Sequence, residues 1–548
     1  MAATRLPSCR ASRSPWSRIG IQSSSLLLLR SPGGAYRSAA PRRSFASSSR
    51  KDPETAEDAS EAAKVARDEK AADVASDSAT SDTGSHQAIL KEASSKGDGS
   101  GSGGSSPSLS TSTPPADWET DSNWDVESFA DLPHANFGVN QHMPFEAEFK
   151  EVLRQIPWAF RATISYAFAY GSGVFPQSKA TGRVPTAEEI RAIHPKAPLA
   201  VQRAQDGTPK MIDFVFGVKN PQHWHSLNMR QHRDHYSALA SLGSGAVSHV
   251  QERWGAGVYY NPYVVVNGIL IKYGVVSINA LQRDLKDWDT LYLAGRLHKP
   301  VKILRDDATI RLANQMNLLS ALRTALLLLP PRFNEMELYS TIAGISYLGD
   351  PRMSLPTENP NKVSNIVGNN LPNFRRLYLP LIETLPNVEF DDAACKETGW
   401  IFGDASLRLV QDMDPVKRGN MVRRLPQAFR SRLYFEYQKQ FAIPQVDFNK
   451  MMEESKDEDS VAFKRREGGG FERRIVQDDP KELQRHMRAV IKQTIGWPST
   501  VQSLKGLLTS GIRRSWRYTR EKMDKYRAGS SSTSDAATDT KAAASKKE

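Results

Sequence analysis

The stretch ATISYAFAYGSGVF (residues 162–175), read with MIDFVFGV (residues 211–218), decides the fold. The first is rich in Ile, Tyr, Phe and Ala up to Tyr170 and stops at Gly171-Ser172-Gly173, as a strand entering a tight turn does. The second is a nearly continuous apolar run broken by one charge, Asp213. Runs of that kind are strands buried on both faces. A carboxylate there is costly unless it is paired or holds a metal. The glycines let the backbone approach a ligand, and Ser172 with the N–H groups of a helix starting there would cradle phosphate oxygens. Gly-Ser-Gly alone is an ordinary turn, and Asp213 alone fits a buried ion pair. Together they point to phosphate and Mg²⁺, an ion that takes one or two carboxylates plus substrate phosphates.

Working outward, Phe145, Phe149, Val152, Leu153 and Ile156 have helical spacing up to Pro157. Residues 178–210 are polar and Pro-containing, and read as a surface excursion. Asn267-Gly268 between two apolar runs is the strongest short-range hairpin signal. Residues 279–293 read as a helix with Leu281, Leu285, Trp288 and Tyr292 on one face. Further helices are expected over 312–329, 335–345 and 373–385. The whole is an α+β chain, a mixed sheet domain followed by a mainly helical one.

Residues 1–51 hold nine arginines, many serines and no acid, the pattern of a mitochondrial transit peptide. Residues 52–117 carry no Phe, Trp or Tyr and read as a disordered linker. The formal charge of +12 owes much to the leader, and the rest of the excess gathers near the C-terminus. Such a tail suits anionic lipid or nucleic acid. A single cysteine, Cys395, follows the leader, leaving no thiolate pair for structural zinc. The histidines between His223 and His235 lack structural-zinc spacing.

A Gly-Ser turn followed by a strand carrying an aspartate resembles the polymerase-β-like nucleotidyltransferases. The strings Ala169-Tyr170-Gly171-Ser172-Gly173-Val174-Phe175, Asp213-Phe214-Val215-Phe216 and Trp224-His225-Ser226 go further, as does Gly255-Ala256-Gly257-Val258-Tyr259-Tyr260-Asn261. With Ile271-Lys272-Tyr273-Gly274-Val275 and Gly295-Arg296-Leu297, then Lys299-Pro300, they resemble in order the mitochondrial phosphatidate cytidylyltransferase family, over roughly residues 140–390. The resemblance implies a reaction of CTP with phosphatidate to give CDP-diacylglycerol for cardiolipin synthesis, at the matrix side of the mitochondrial inner membrane. It also implies a winged-helix second domain.

The expected domains are 118–300 (nucleotidyltransferase), 301–395 (helical or winged-helix) and 396–490 (helical), then a basic membrane segment at 491–527 and a disordered tail at 528–548. Asp213, Ser172 and Lys272 are the candidate catalytic residues. Tyr170, Gly171, Ser172, Gly173, His225 and Ser226 are candidates for CTP or its phosphates. Arg296, Lys299 and Lys302 form a basic cluster for a phosphate of either substrate, where Arg favours bidentate contact. Many polymerase-β-like enzymes carry Asp-x-Asp, which puts two carboxylates on one strand face. Here Val215 takes the second position, so Asp284 is the candidate second ligand for Mg²⁺, an exposed helical aspartate being its competing reading.

No stretch reaches the ~20 apolar residues of a spanning helix. Val501, Leu504, Leu507, Leu508, Ile512 and Trp516 recur at helical spacing among Lys505, Arg513, Arg514, Arg517, Arg520 and Lys522. That is the pattern of a peripheral helix on anionic lipid, expected over 497–522. An RNA-directed nucleotidyltransferase is one alternative, against which stands the lack of an aromatic-studded basic strand; no nucleic acid is expected as partner. A non-catalytic factor maintaining the inner-membrane protein translocase is the other. Homo-oligomers are compatible with the sequence.

Overall fold

The computed structural model describes residues 118–119, 126–177, 183–205, 209–354, 361–396, 399–403, 405–454, 468–511 and 520. The expected transit peptide and the disordered tail lie outside the described residues, as does the linker. So do Ile512, Trp516 and most of the basic residues beyond Gly511.

A five-stranded sheet in the order β3-β4-β2-β1-β5 forms the first layer. Its strands are β1 (Tyr166–Tyr170), β2 (Ile212–Val218), β3 (Val258–Val266), β4 (Ile269–Ser277) and β5 (Lys302–Arg305). β1 and β2 are antiparallel, and β2 and β4 run parallel. Asn267 and Gly268 both have positive φ, 49° and 77°, as a tight hairpin between β3 and β4 requires. β5 pairs with β1, so the first domain extends past the expected boundary at residue 300.

Helices cover both faces. Helix α1 (Ala147–Trp158), α2 (Pro221–Gln231) and α3 (Gly243–Arg253) come before the β3–β4 hairpin, and α4 (Ile278–Asp287) follows it. Residues 183–205, expected as a surface excursion, hold two short helices and are pinned to the hairpin. The Leu270 N–H donates to the buried His194 ring and the Lys196 N–H to the Gly268 carbonyl.

Helix α4 ends well before residue 293. Trp288 takes the left-handed conformation (φ 56°), and the chain turns into the one-turn helix α5 (Ala294–Leu297). Buried α6 (Ala308–Leu328) starts four residues ahead of the expected 312, because Asp307 caps it by accepting from the Ile310 N–H. Helices α7 (Glu335–Ile345), α8 (Lys362–Gly368) and α9 (Leu371–Thr384) follow. A second, antiparallel sheet in the order β6-β8-β7 joins Arg332–Asn334, Arg408–Gln411 and Val388–Phe390. β8 lies beyond residue 395, so this unit also overruns its expected boundary.

After α10 (Pro415–Arg423) and α11 (Gln427–Gln440), the 31-residue helix α12 (Pro480–Ser510) runs straight through the expected boundary at 490/491. Its first half is core: Leu483, Met487, Val490, Ile491 and Ile495 are buried. Among the described residues no helix is long and apolar enough to cross a membrane.

Candidate functional site

Strand register assembles the site. Tyr170 on β1 lies opposite Asp213 on β2, and Asp213 lies beside Lys272 on β4. Because side chains alternate along a strand, all three project from one face. Lys272 Nζ donates to Asp213 Oδ1 at 3.0 Å. β4 is an inner strand, so Lys272 is no edge-guarding lysine.

The loop after β1 is a turn, and the described residues 171–177 start no helix. The N–H groups of Val174 and Phe175 both donate to the Gly171 carbonyl. A helix dipole is therefore no part of this cradle, contrary to the sequence expectation. Gly171 is favoured by its backbone conformation and Gly173 is required by space. Gly171 has φ +83°, and a Cβ there would sit 3.1 Å from Asp213 Oδ2. At Gly173 a Cβ would run into the Met211 carbonyl at 2.7 Å. Ser172 is half-buried between them.

Arg296 on α5 stacks over the Tyr170 ring, 4.5 Å from its centroid. Tyr260 hydrogen-bonds the Tyr170 phenol. It faces Gly274 across β3 and β4, where a Cβ would collide with its ring, and Lys272 Nζ lies 4.7 Å from that ring's centroid. Burial, first of all, and the neighbouring Asp213 push the Tyr170 phenol well above its ordinary value, so it stays neutral.

Behind the loop lies a small, partly open pocket. Its walls come from Tyr170, Gly171 and Phe175, from Arg296, Lys299 and Pro300, and from Ile366 and Asn370 of the second unit. Among the described residues no carboxylate lines it. Asn370 ties the two units by donating to the Pro176 carbonyl, and it also donates to the Ile366 carbonyl within its own unit. Lys299 donates to the Gly295 carbonyl and to Ser346 Oγ. Burial, reinforced by Arg296 and Lys362, pushes its ammonium well below the usual lysine value. An anion would relieve that crowding of positive charge.

Four expected residues stand elsewhere. Asp284 is 6 % exposed, neither an exposed helical residue nor a ligand facing the loop. Its Oδ1 accepts from the N–H groups of Thr290 and Leu291 and from Thr290 Oγ1, and its Oδ2 accepts from the N–H groups of Leu293 and Ala294. Both oxygens are consumed in folding the segment that delivers Arg296. His225 is buried between the Tyr236 hydroxyl and Gln251, each at 2.8 Å. Its helix packs on Tyr273, the neighbour of Lys272 in β4, so His225 and Ser226 belong to the opposite face of the sheet. Burial, opposed by the Gln251 bond, brings the His225 imidazole down to about 4, and it carries no charge for a phosphate at neutral pH. Lys302 pairs in register with Ala169, whose side chain alternates with Tyr170, and so also faces away; its Nζ donates to the Met143 carbonyl.

His232, Asp234 and His235 approach one another closely enough to invite a metal. The two imidazoles, however, stack 4.3 Å apart at 4°, which keeps their lone pairs in parallel planes. His235 Nδ1 also shares a hydrogen bond with the Tyr273 hydroxyl.

Sequence reasoning missed Tyr260 as a site residue, although it stands in the quoted Gly-Ala-Gly-Val-Tyr-Tyr-Asn string. It missed Asn370 and Ile366 because no local pattern marks them. It also missed Asn317, which accepts from Trp288 Nε1, shares a hydrogen bond with His298 and so steadies the 288–298 segment.

The fold and site define an α+β protein whose one carboxylate and several cations meet at a glycine turn, the class suited to phosphorylated ligands. Residues 153–525 match the family model described as "Phosphatidate cytidylyltransferase, mitochondrial". Curated proteins of that name are similar to the chain. The one from Schizosaccharomyces pombe is 44 % identical over 46 % of this chain and 59 % of its own length. That from Xenopus laevis is 36 % identical over 68 % of this chain and 94 % of its own. That from Saccharomyces cerevisiae is 39 % identical over 45 % of this chain and 59 % of its own. The chain belongs to the mitochondrial phosphatidate cytidylyltransferase family.

Proposed function

We propose that this chain transfers the cytidylyl group of CTP to phosphatidate, releasing diphosphate and forming the CDP-diacylglycerol that feeds cardiolipin synthesis. The observation that carries the reading is Asp213 beside Gly171, which itself lines a pocket together with Arg296 and Lys299. A phosphate monoester has its second pKa near ~6, so phosphatidate is largely dianionic at neutral pH. Its oxygen attacks the α-phosphorus of CTP already deprotonated, the bond to the bridging α,β-oxygen breaks, and diphosphate departs with that electron pair. No side chain has to remove a proton.

What the chain must do is hold two anions together. Lys272, Arg296 and Lys299 supply positive charge, and Tyr170 and Tyr260 fix two of those cations in place. The donor set fits Mg²⁺: one part-exposed carboxylate already faces a cation, and a triphosphate would supply the remaining oxygens. When bound there, the ion would stabilise charge on the phosphates and the leaving diphosphate. Asp213 is the one protein ligand in this reading, Val215 and Asp284 being unsuited. Asp213→Asn is expected to abolish CDP-diacylglycerol formation in purified, folded protein given CTP, phosphatidate and Mg²⁺. Near wild-type turnover would end the reading, and incorporation into RNA instead would favour the RNA-directed alternative.

The same proposal covers finer points of fold and place. A Gly-Ser turn at the end of β1 beside an aspartate on β2 supports a polymerase-β-like first domain. The three-stranded β6-β8-β7 sheet among helices supports a winged-helix-like second one. For placement on anionic lipid at the matrix face of the mitochondrial inner membrane, the support is the outer face of α12, where Trp497, Leu504, Leu507 and Leu508 are each at least half exposed.

A further inference from the structure

Lys272 has two seats. One is the Asp213 carboxylate, at 3.0 Å; the other is the Tyr260 ring, whose centroid lies 4.7 Å from Nζ. Gly274 clears the space for that ring. Opposite Lys272 the β3 register shifts between Asn261 and Val264, with Tyr263 at φ 55°. The side chains of Lys272 and Asp213 are only 18 % and 25 % exposed.

A divalent ion reaching Asp213 would meet this ammonium at about 4 Å, where repulsion exceeds thermal energy even with the screening of bulk water. The ion can settle only if Lys272 leaves or if negative charge arrives with it. Resting on the reading that Asp213 holds a divalent cation, we infer that Lys272 is the resident counter-ion of Asp213. It disfavours a bare divalent cation and passes from the carboxylate to the triphosphate when the nucleotide binds. The Tyr260 ring face keeps the ammonium within reach of both. Metal and nucleotide then enter together, and each strengthens the other's binding by the same factor.

The test uses the full chain and two binding measurements without turnover. Mn²⁺ is titrated in the absence of nucleotide, with unbound ion read by electron paramagnetic resonance, and CTP is titrated in EDTA by calorimetry. Lys272→Met is expected to bind Mn²⁺ at least about tenfold more tightly and CTP at least about tenfold more weakly than wild type. Lys272→Arg, which keeps the charge, is expected to stay near wild type in both. Opposite signs separate a counter-ion from a merely structural lysine, whose loss would weaken both. If Lys272→Met fails to fold, Lys272→Gln is measured in its place. Mn²⁺ affinity unchanged or weakened in a folded, charge-removed variant overturns the inference. Asp213→Asn separates the two layers. If it binds Mn²⁺ with CTP as well as wild type does, the metal reading itself falls. If it loses that binding while Lys272→Met shows no gain, only the counter-ion role falls.

Discussion

Asp284→Ala is the sharpest probe of how the site is built. The carboxylate accepts five hydrogen bonds at 2.8–3.0 Å, four of them from backbone N–H groups. Of those four donors, Leu291, Leu293 and Ala294 belong to residues no more than 1 % exposed. An orphaned buried donor costs about 1–3 kcal/mol, so the three together set a range of roughly 3–9 kcal/mol. Relaxation and water entry near half-buried Thr290 bring the expected loss to about 4 kcal/mol. In a chain of this size that is a fall in Tm of roughly 5 °C. Asp284→Asn should lose about half as much, because its amide NH₂ must face N–H donors whichever way it turns. Arg296 lies two residues beyond the last bonded N–H, so the apparent KM for CTP or phosphatidate should rise as well. Differential scanning calorimetry gives the first quantity, and Mn²⁺ titration in the presence of CTP gives a control. Melting of Asp284→Ala within about 1 °C of wild type would refute the structural role. A collapse of Mn²⁺ affinity with Tm unchanged would restore Asp284 as a metal ligand.

Gly171→Ala should lower kcat/KM by at least about tenfold with little change in Tm, since its Cβ would press on Asp213 Oδ2 from a strained φ of +83°; steady-state kinetics beside a melt would show otherwise. Lys505, buried on α12, donates to the carbonyls of Gln251 and Trp254, and burial brings its ammonium down to about 7 from 10.5. Between those values the unfolded chain holds a proton the folded one lacks, so this group makes stability rise with pH from 7 towards 10.5, by at most about 1.4 kcal/mol per unit. Chemical denaturation at pH 7 and 9 should show that slope reduced in Lys505→Met, and equal slopes would contradict it. Replacing Trp497, Leu504, Leu507 and Leu508 by Ser should release the protein from cardiolipin-containing vesicles at unchanged Tm. Full retention in flotation would remove this face as the anchor. Truncation from residue 490 is the wrong tool, because it deletes Val490, Ile491 and Ile495 from the core.

Local chemistry determined much of this protein. Asn267-Gly268 fixed a hairpin because both residues accept positive φ, and one charge in an apolar strand made Asp213 a suspect because burial of an unpaired carboxylate is costly. Ordered strings of residues gave the family. Strand register, which links residues far apart in the chain, decided the rest. Period two in β4 sets Lys272 on the face of Asp213 and Tyr273 on the other, which separates His225 from the site; period two in β1, through Ala169, does the same for Lys302. Spacing could not show that Asp284 turns inward to fold its own loop, since that depends on four N–H groups left without partners where α4 ends at Trp288. Nor could any window of sequence bring Asn370 and Ile366 to the pocket, almost 200 residues from Gly171; packing of the second unit against the first put them there.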